Sequence, residues 1–160
     1  ILLSLLAEMP LAKGQGSDLS EAALKVAERN ADQLGVAKRA RFTQSDWFDA
    51  ITGTFDLIVS NPPYIALAEM PDLSPELSHE PRMALTDEQD GLTAYRIIAS
   101  GALAHLTPRG RILLEIGPTQ GASVADMLLA QGFKGVRIIP DLDGRDRVVC
   151  GVAPVRVMSV

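Results

Sequence analysis

Phe55-Asp56-Leu57-Ile58-Val59-Ser60-Asn61-Pro62-Pro63-Tyr64 is the stretch on which the fold turns. Its first six residues are short and mostly apolar, with Gly53 before them and two prolines after. That is the pattern of a strand buried in a parallel sheet. The prolines end it, because neither offers an N–H to continue a ladder. Upstream, Ala23, Leu24, Ala27 and Ala31 recur at helical spacing between Ser20, a capping residue, and Gly35, a stop. Residues 41–44 read as a short strand running into Ser45-Asp46-Trp47-Phe48. Residues 1–7 are strong helix formers and read as the tail of a buried helix closed by Pro10. Downstream, 61–90 is a long region punctuated by Pro62, Pro63, Pro71, Pro75 and Pro81, the length of a functional loop or lid. A helix over 91–106 stopped by Pro108, a strand over 111–116 and a helix over 120–130 ended by Gly132 follow. Two β-rich segments, 137–140 and 147–152, flank the turn Asp141-Leu142-Asp143-Gly144. The alternation predicts a doubly wound α/β sheet ending in an antiparallel hairpin.

Composition narrows the function. The 160 residues suit one domain, and 47% hydrophobic with 22% charged is a globular balance that excludes disorder. The longest apolar runs, 1–7 and 55–59, are far short of the roughly 20 residues of a membrane span. One cysteine, Cys150, gives no disulfide framework and makes a reducing cytoplasm the default. A net charge of −5 argues against holding duplex nucleic acid by bulk phosphate attraction. His79 and His105 read as incidental, two histidines without nearby ligand partners rather than a metal site.

Sites in such sheets lie beyond the carboxyl ends of the strands, which singles out Asp18, Asp46-Trp47 and Asn61 to Tyr64. In Asn61-Pro62-Pro63-Tyr64 the prolines fix the backbone, so the Pro62 carbonyl and the Asn61 side-chain carbonyl are two fixed acceptors. Paired acceptors suit a planar NH2 group, and Tyr64 adds an aromatic face for a flat substrate. The same tetrapeptide also reads as a rigid turn. Asp18 equally reads as a turn acid before Ser20, and Trp47 as a core tryptophan.

The strand followed by Asn-Pro-Pro-Tyr resembles the class I S-adenosylmethionine-dependent methyltransferases that modify planar nitrogens. Ser45-Asp46-Trp47-Phe48, Val59 through Ile65, Glu80-Pro81, Ala84-Leu85, Asp90-Gly91-Leu92, Glu115-Ile116-Gly117 with Gln120, and Asp141-Leu142 through Gly144, Asp146 and Arg147 narrow the resemblance. They are similar to the PrmC/HemK family of protein N5-glutamine methyltransferases, which act on class I peptide chain release factors. The resemblance implies a Rossmann-like class I fold and S-adenosylmethionine as methyl donor, with no metal. It implies Asp18 on the cofactor ribose, Asp46 and Trp47 on the adenine, and Asn61 toward both cofactor and substrate. Asn61, Pro62, Pro63 and Tyr64 would hold the substrate glutamine, with Asn61, Pro62 and Tyr64 the catalytic set. Glu80 and Arg82 are expected to be solvated or structural, and Arg147 to brace the sheet through a carboxylate.

The alternatives are a DNA or RNA amino-methyltransferase, which the negative charge disfavours, and an inactive fragment. By the same resemblance, residues 1–153 would be a partial catalytic domain and 154–160 a tail. A first strand with its Gly-rich cofactor loop, and a helical domain, are expected upstream. The chain alone would then bind cofactor weakly, a cytoplasmic enzyme short of one strand.

Overall fold

The computed structural model describes residues 1–72 and 81–155. The chain forms two compact units, Ile1–Gly53 and Thr54–Val160.

In the first unit, α1 (Leu2–Glu8), β1 (Gly14–Asp18), α2 (Glu21–Gln33), a 3-10 turn at Ala37–Arg39 and β2 (Ala40–Gln44) follow one another. β1 and β2 are parallel, with Gly14 opposite Ala40 and Asp18 opposite Gln44. Helix α2 lies where its periodicity places it. The Ser20 hydroxyl accepts from the Ala23 N–H at 3.2 Å, and Gly35 leaves the helix at φ +68°. β1 carries no apolar run. Its glycines instead let neighbours press close: a Cβ on Gly14 would lie 2.3 Å from Leu2 Cδ1. Gln15 Nε2 also donates to Thr43 Oγ1 on β2 at 2.8 Å.

The core of this unit is Leu6, Ala31 and Val36, with Leu2, Leu3 and Phe42 half-buried around it. Only Leu6 of α1 is fully covered, so the helix is less buried than its apolar sequence predicts. A two-stranded sheet is too narrow to cover more than one row of its side chains.

Arg39 ties this unit together. Its guanidinium donates to the carbonyls of Leu6 (2.6 Å), Met9 (3.0 Å) and Ala12 (3.0 Å), at and beyond the C-terminus of α1. The carbonyls at a helix end lack partners within the helix, and a cation there also meets the negative end of the dipole. Arg39→Ala is expected to cost about 2 kcal/mol in urea unfolding, with Arg39→Lys recovering a minor part. A loss below about 0.5 kcal/mol would show that water replaces the three bonds without penalty.

The second unit holds β3 (Phe55–Ser60), a 3-10 helix at Leu67–Asp72, α3 (Arg82–Leu85), α4 (Thr93–Ala102), a 3-10 turn at Leu103–His105, β4 (Leu106–Glu115), α5 (Gly121–Ala130), β5 (Lys134–Pro140) and β6 (Asp146–Val152). The sheet order is β3-β4-β6-β5. β3 and β4 run parallel, and β6 pairs antiparallel with both β4 and β5. The expected hairpin is present, with β6 as its inner strand.

The largest boundary differences from the sequence reading lie between α4 and β4. The helix ends at Ala102, and β4 begins five residues before the expected Arg111, passing through Pro108. Chain beyond β6 holds this segment. The Arg109 N–H donates to the Ala153 carbonyl (3.2 Å), and the Gly110 carbonyl accepts from the Ala153 N–H (2.8 Å). Arg109 takes φ +64° to make the fit.

The core lies on one face of β4. Ile112, Leu114 and Ile116 are fully buried, as are Val149 of β6, Tyr95 and Ala102 of α4, and Val124 and Leu128 of α5. α5 packs on β5 and β6 and against α4. This fixes the C-terminal end of β4 beside the loops that follow β3. No helix among the described residues is long and apolar enough to cross a membrane.

Candidate functional site

β3 ends at Ser60, and the next four residues carry the acceptors singled out above. Asn61 is exposed, Pro62 buried, and Pro63 and Tyr64 half-buried. Among the described residues, neither the Asn61 carboxamide nor the Pro62 carbonyl has a hydrogen-bond partner. The next residue is fastened: the Ile65 N–H donates to the Leu85 carbonyl at 3.0 Å, and Ile65 bridges Thr86. Two acceptors without a partner among the described residues therefore precede an anchored chain.

Two glycines make room for Tyr64. A Cβ on Gly117 would lie 3.3 Å from Tyr64 Cδ2, so the ring rests on bare backbone. A Cβ on Gly91, which sits at φ +73°, would lie 2.3 Å from the Tyr64 carbonyl oxygen. Gln120 joins these loops. Its Nε2 donates to the carbonyls of Tyr64 (2.8 Å) and Gly91 (3.2 Å), and its Oε1 accepts from the Gly117 N–H (3.0 Å). Fully buried Tyr95 donates its hydroxyl to the Glu115 carbonyl at 2.7 Å, pinning the end of β4. Burial, with the neighbouring Tyr64 and Glu115, pushes the Tyr95 phenol far above its ordinary pKa, so it stays a donor.

Asp87 shapes the turn into α4. One oxygen accepts from the N–H groups of Gln89 and Gly91, both at 2.9 Å, and the other from Thr93 at 2.8 Å. Burial pushes the Asp87 carboxyl up, but the Thr93, Gln89 and Gly91 donors outweigh it and hold its pKa below the ordinary 3.8. Beside it, the hydrogen bond from Arg96 brings exposed Asp90 down to about 2. A lowered carboxylate pKa contributes stability that is complete above the unfolded value and fades as pH falls through the folded one. The unfolding midpoint is thus expected to drop as pH falls from about 4 toward 2, and Asp87→Asn to flatten part of that slope. An unchanged slope in Asp87→Asn would remove Asp87 from the account.

Two arginines in these loops and on β6 make ion pairs. Arg82 pairs with Glu88 through two nitrogens, both side chains exposed, in keeping with the expected role of Arg82. Glu80 and His79 lie outside the described residues. Arg147 reaches Asp141 Oδ2 and the Ile116 carbonyl, both at 3.4 Å, the carboxylate brace expected of it.

In the first unit, Asp18 and the 45–50 turn sit at the carboxyl ends of adjacent strands, joined by the Ser45 N–H to the Asp18 carbonyl at 3.1 Å. Asp18 is exposed, and its Oδ1 accepts from the Ser20 N–H at 2.8 Å, leaving Oδ2 open. Asp46 is exposed and Trp47 half-buried, so Trp47 is not a core residue. Trp47 sits at φ +46°, a conformation that costs a non-glycine residue about 1–3 kcal/mol. Buried Ser45 holds it there: its hydroxyl donates to the Trp47 carbonyl and accepts from the Ala50 N–H, both at 3.0 Å. A carboxylate with one oxygen unbonded among the described residues at one strand end, beside a strained aromatic turn at the next, offers an acceptor for sugar hydroxyls and a face for a flat base.

Sequence reading named Asp18, Asp46, Trp47 and Asn61 to Tyr64. It missed the parts played by Ser45, Asp87 and Gln120, because each depends on which backbone groups the fold brings within reach.

The chain matches the family model described as the methyltransferase small domain over residues 1–88. It is 55% identical to the release factor glutamine methyltransferase of Cereibacter sphaeroides over 155 residues, covering 96% of this chain and 56% of that protein. The chain thus spans about half the length of that relative. Its fold is similar to that of a methyltransferase from Pyrococcus furiosus, with a TM-score of 0.70 at 16% identity, over 96% of this chain and 69% of that one. It is also similar to an RNA methyltransferase from Salinibacter ruber solved with S-adenosyl-L-homocysteine (TM-score 0.59, 16% identity, 100% and 77% covered). The open α/β sheet with its terminal hairpin is accordingly a class I methyltransferase sheet, and the chain belongs to the methyltransferase small domain family.

Proposed function

We propose that this chain is the catalytic part of an S-adenosylmethionine-dependent methyltransferase acting on the glutamine amide of the Gly-Gly-Gln motif in class I peptide chain release factors. The observation that carries the reading is the pair of acceptors, Asn61 and Pro62, that have no partner among the described residues, at the end of β3 on an anchored chain. The 55% identity to a release factor glutamine methyltransferase supports the glutamine acceptor over a nucleobase.

Asp18, through its open oxygen, would hold the cofactor ribose, and Asp46 and Trp47 the adenine. The cofactor supplies an electrophilic methyl on a good leaving group. Asn61 and Pro62 accept the two protons of the substrate amide and so favour positive charge building on its nitrogen. Pro63 keeps the Pro62 carbonyl from swinging away, and Tyr64 lies along the glutamine side chain. Positioning supplies most of the acceleration; as the N–C bond forms and the S–C bond breaks, the amide nitrogen becomes strongly acidic and gives one proton to solvent, so no strong base is needed. The reaction would take place in the cytoplasm, where release factors work.

The test uses the full-length gene product with S-adenosylmethionine and a purified class I release factor, with duplex DNA in parallel. Peptide mass spectrometry is expected to find one added methyl on the Gly-Gly-Gln glutamine. Methyl on the DNA with an untouched release factor would keep the fold and overturn the substrate.

A further inference from the structure

Gln120 stands at the N-cap of α5, where Ser, Thr, Asp or Asn would normally satisfy the helix, yet its side chain makes no capping bond. The carboxamide turns instead to three loop segments, two of them distant in sequence. It reaches the Tyr64 carbonyl 56 residues away, the Gly91 carbonyl 29 away, and the Gly117 N–H beside it. Its orientation is fully determined, since a flipped amide would set oxygen against two carbonyls and nitrogen against an N–H. Gly91 and Gly117 let Tyr64 lie close against both loops, where an added Cβ would sit 2.3 Å from its carbonyl oxygen and 3.3 Å from its ring.

We propose that Gln120 is a positioning residue for the Asn61–Tyr64 acceptors, locking the chain that leaves β3 to the end of β4 and the start of α4. The proposal rests on the reading that Asn61 and Pro62 hold the acceptor nitrogen. Glutamine alone fills the place. Glutamate has the same shape and can still accept from Gly117, but sets a charged oxygen against two carbonyl dipoles. Methionine fills the volume and makes none of the three bonds.

The experiment compares Gln120→Glu and Gln120→Met in the full-length gene product, with folding checked by circular dichroism. Amide exchange at Tyr64 and Ile65 is expected to quicken in both. Turnover should fall about ten- to thirtyfold while KM for S-adenosylmethionine is unchanged. Gln120→Glu should regain part of its turnover, relative to the parent protein, as pH falls and its carboxyl is protonated into a donor. If Gln120→Glu fails to fold, Gln120→Met carries the exchange and turnover arms alone. Unchanged exchange, or unchanged turnover despite faster exchange, overturns the proposal. The outcomes separate from the functional reading. If the parent protein methylates another acceptor and leaves the release factor untouched, the glutamine substrate is wrong, and the Gln120 effect is read by exchange and on that other acceptor.

Discussion

Gly91→Ala is expected to destabilise the second unit by about 3 kcal/mol, from the left-handed backbone, the clash and a lost hydrogen bond together. An L side chain at φ +73° costs about 1–2 kcal/mol before any contact is considered. The new methyl would then lie 2.3 Å from the Tyr64 carbonyl oxygen, which is backbone and cannot rotate aside. Relief means moving Tyr64 and stretching its bond to Gln120, about 1 kcal/mol more. Gly144→Ala is the control, because Gly144 has φ +82° and nothing within 4 Å of a new Cβ. Denaturant unfolding should show a smaller loss there, about 1–2 kcal/mol. Equal losses in the two variants would mean that the contact at Tyr64 relaxes freely.

The second large effect is on chemistry. On the proposed function, Asn61→Ala removes one of the two acceptors that would hold the substrate nitrogen, and turnover on the release factor should fall about 10²- to 10³-fold. Stability should change by less than about 0.5 kcal/mol, because Asn61 is exposed and without a partner among the described residues. Asn61→Asp, which keeps an acceptor, should lose less. Turnover of Asn61→Ala within about threefold of the parent would leave the tetrapeptide as the rigid turn that its prolines also allow.

The parts of this fold legible in the sequence are those whose signal is local. β3 is bounded by Gly53 and Pro62, and α2 by Ser20 and Gly35, so both lie where their residues place them. β1 has no such signal: Gly14-Gln15-Gly16-Ser17-Asp18 extends because Thr43 and Leu2 receive it. The start of β4 misleads for the converse reason. Pro108 carries a strong local stop, and the bonds to Ala153 that overrule it come from the far end of the chain. At the site the same division holds. Asn61 and Pro62 advertise themselves through proline's fixed geometry, whereas Asp87 is one acid among several until three N–H groups converge on it.

Trp47 is the only tryptophan in the chain. Its indole is half-buried on the turn that Ser45 holds, so the tryptophan emission of this chain comes from a single position. A chromophore fixed there is a label that needs no chemistry to attach. On the proposed function, titrating S-adenosylmethionine or its demethylated product into the full-length protein and into its Trp47→Phe variant isolates by difference the emission change that belongs to Trp47.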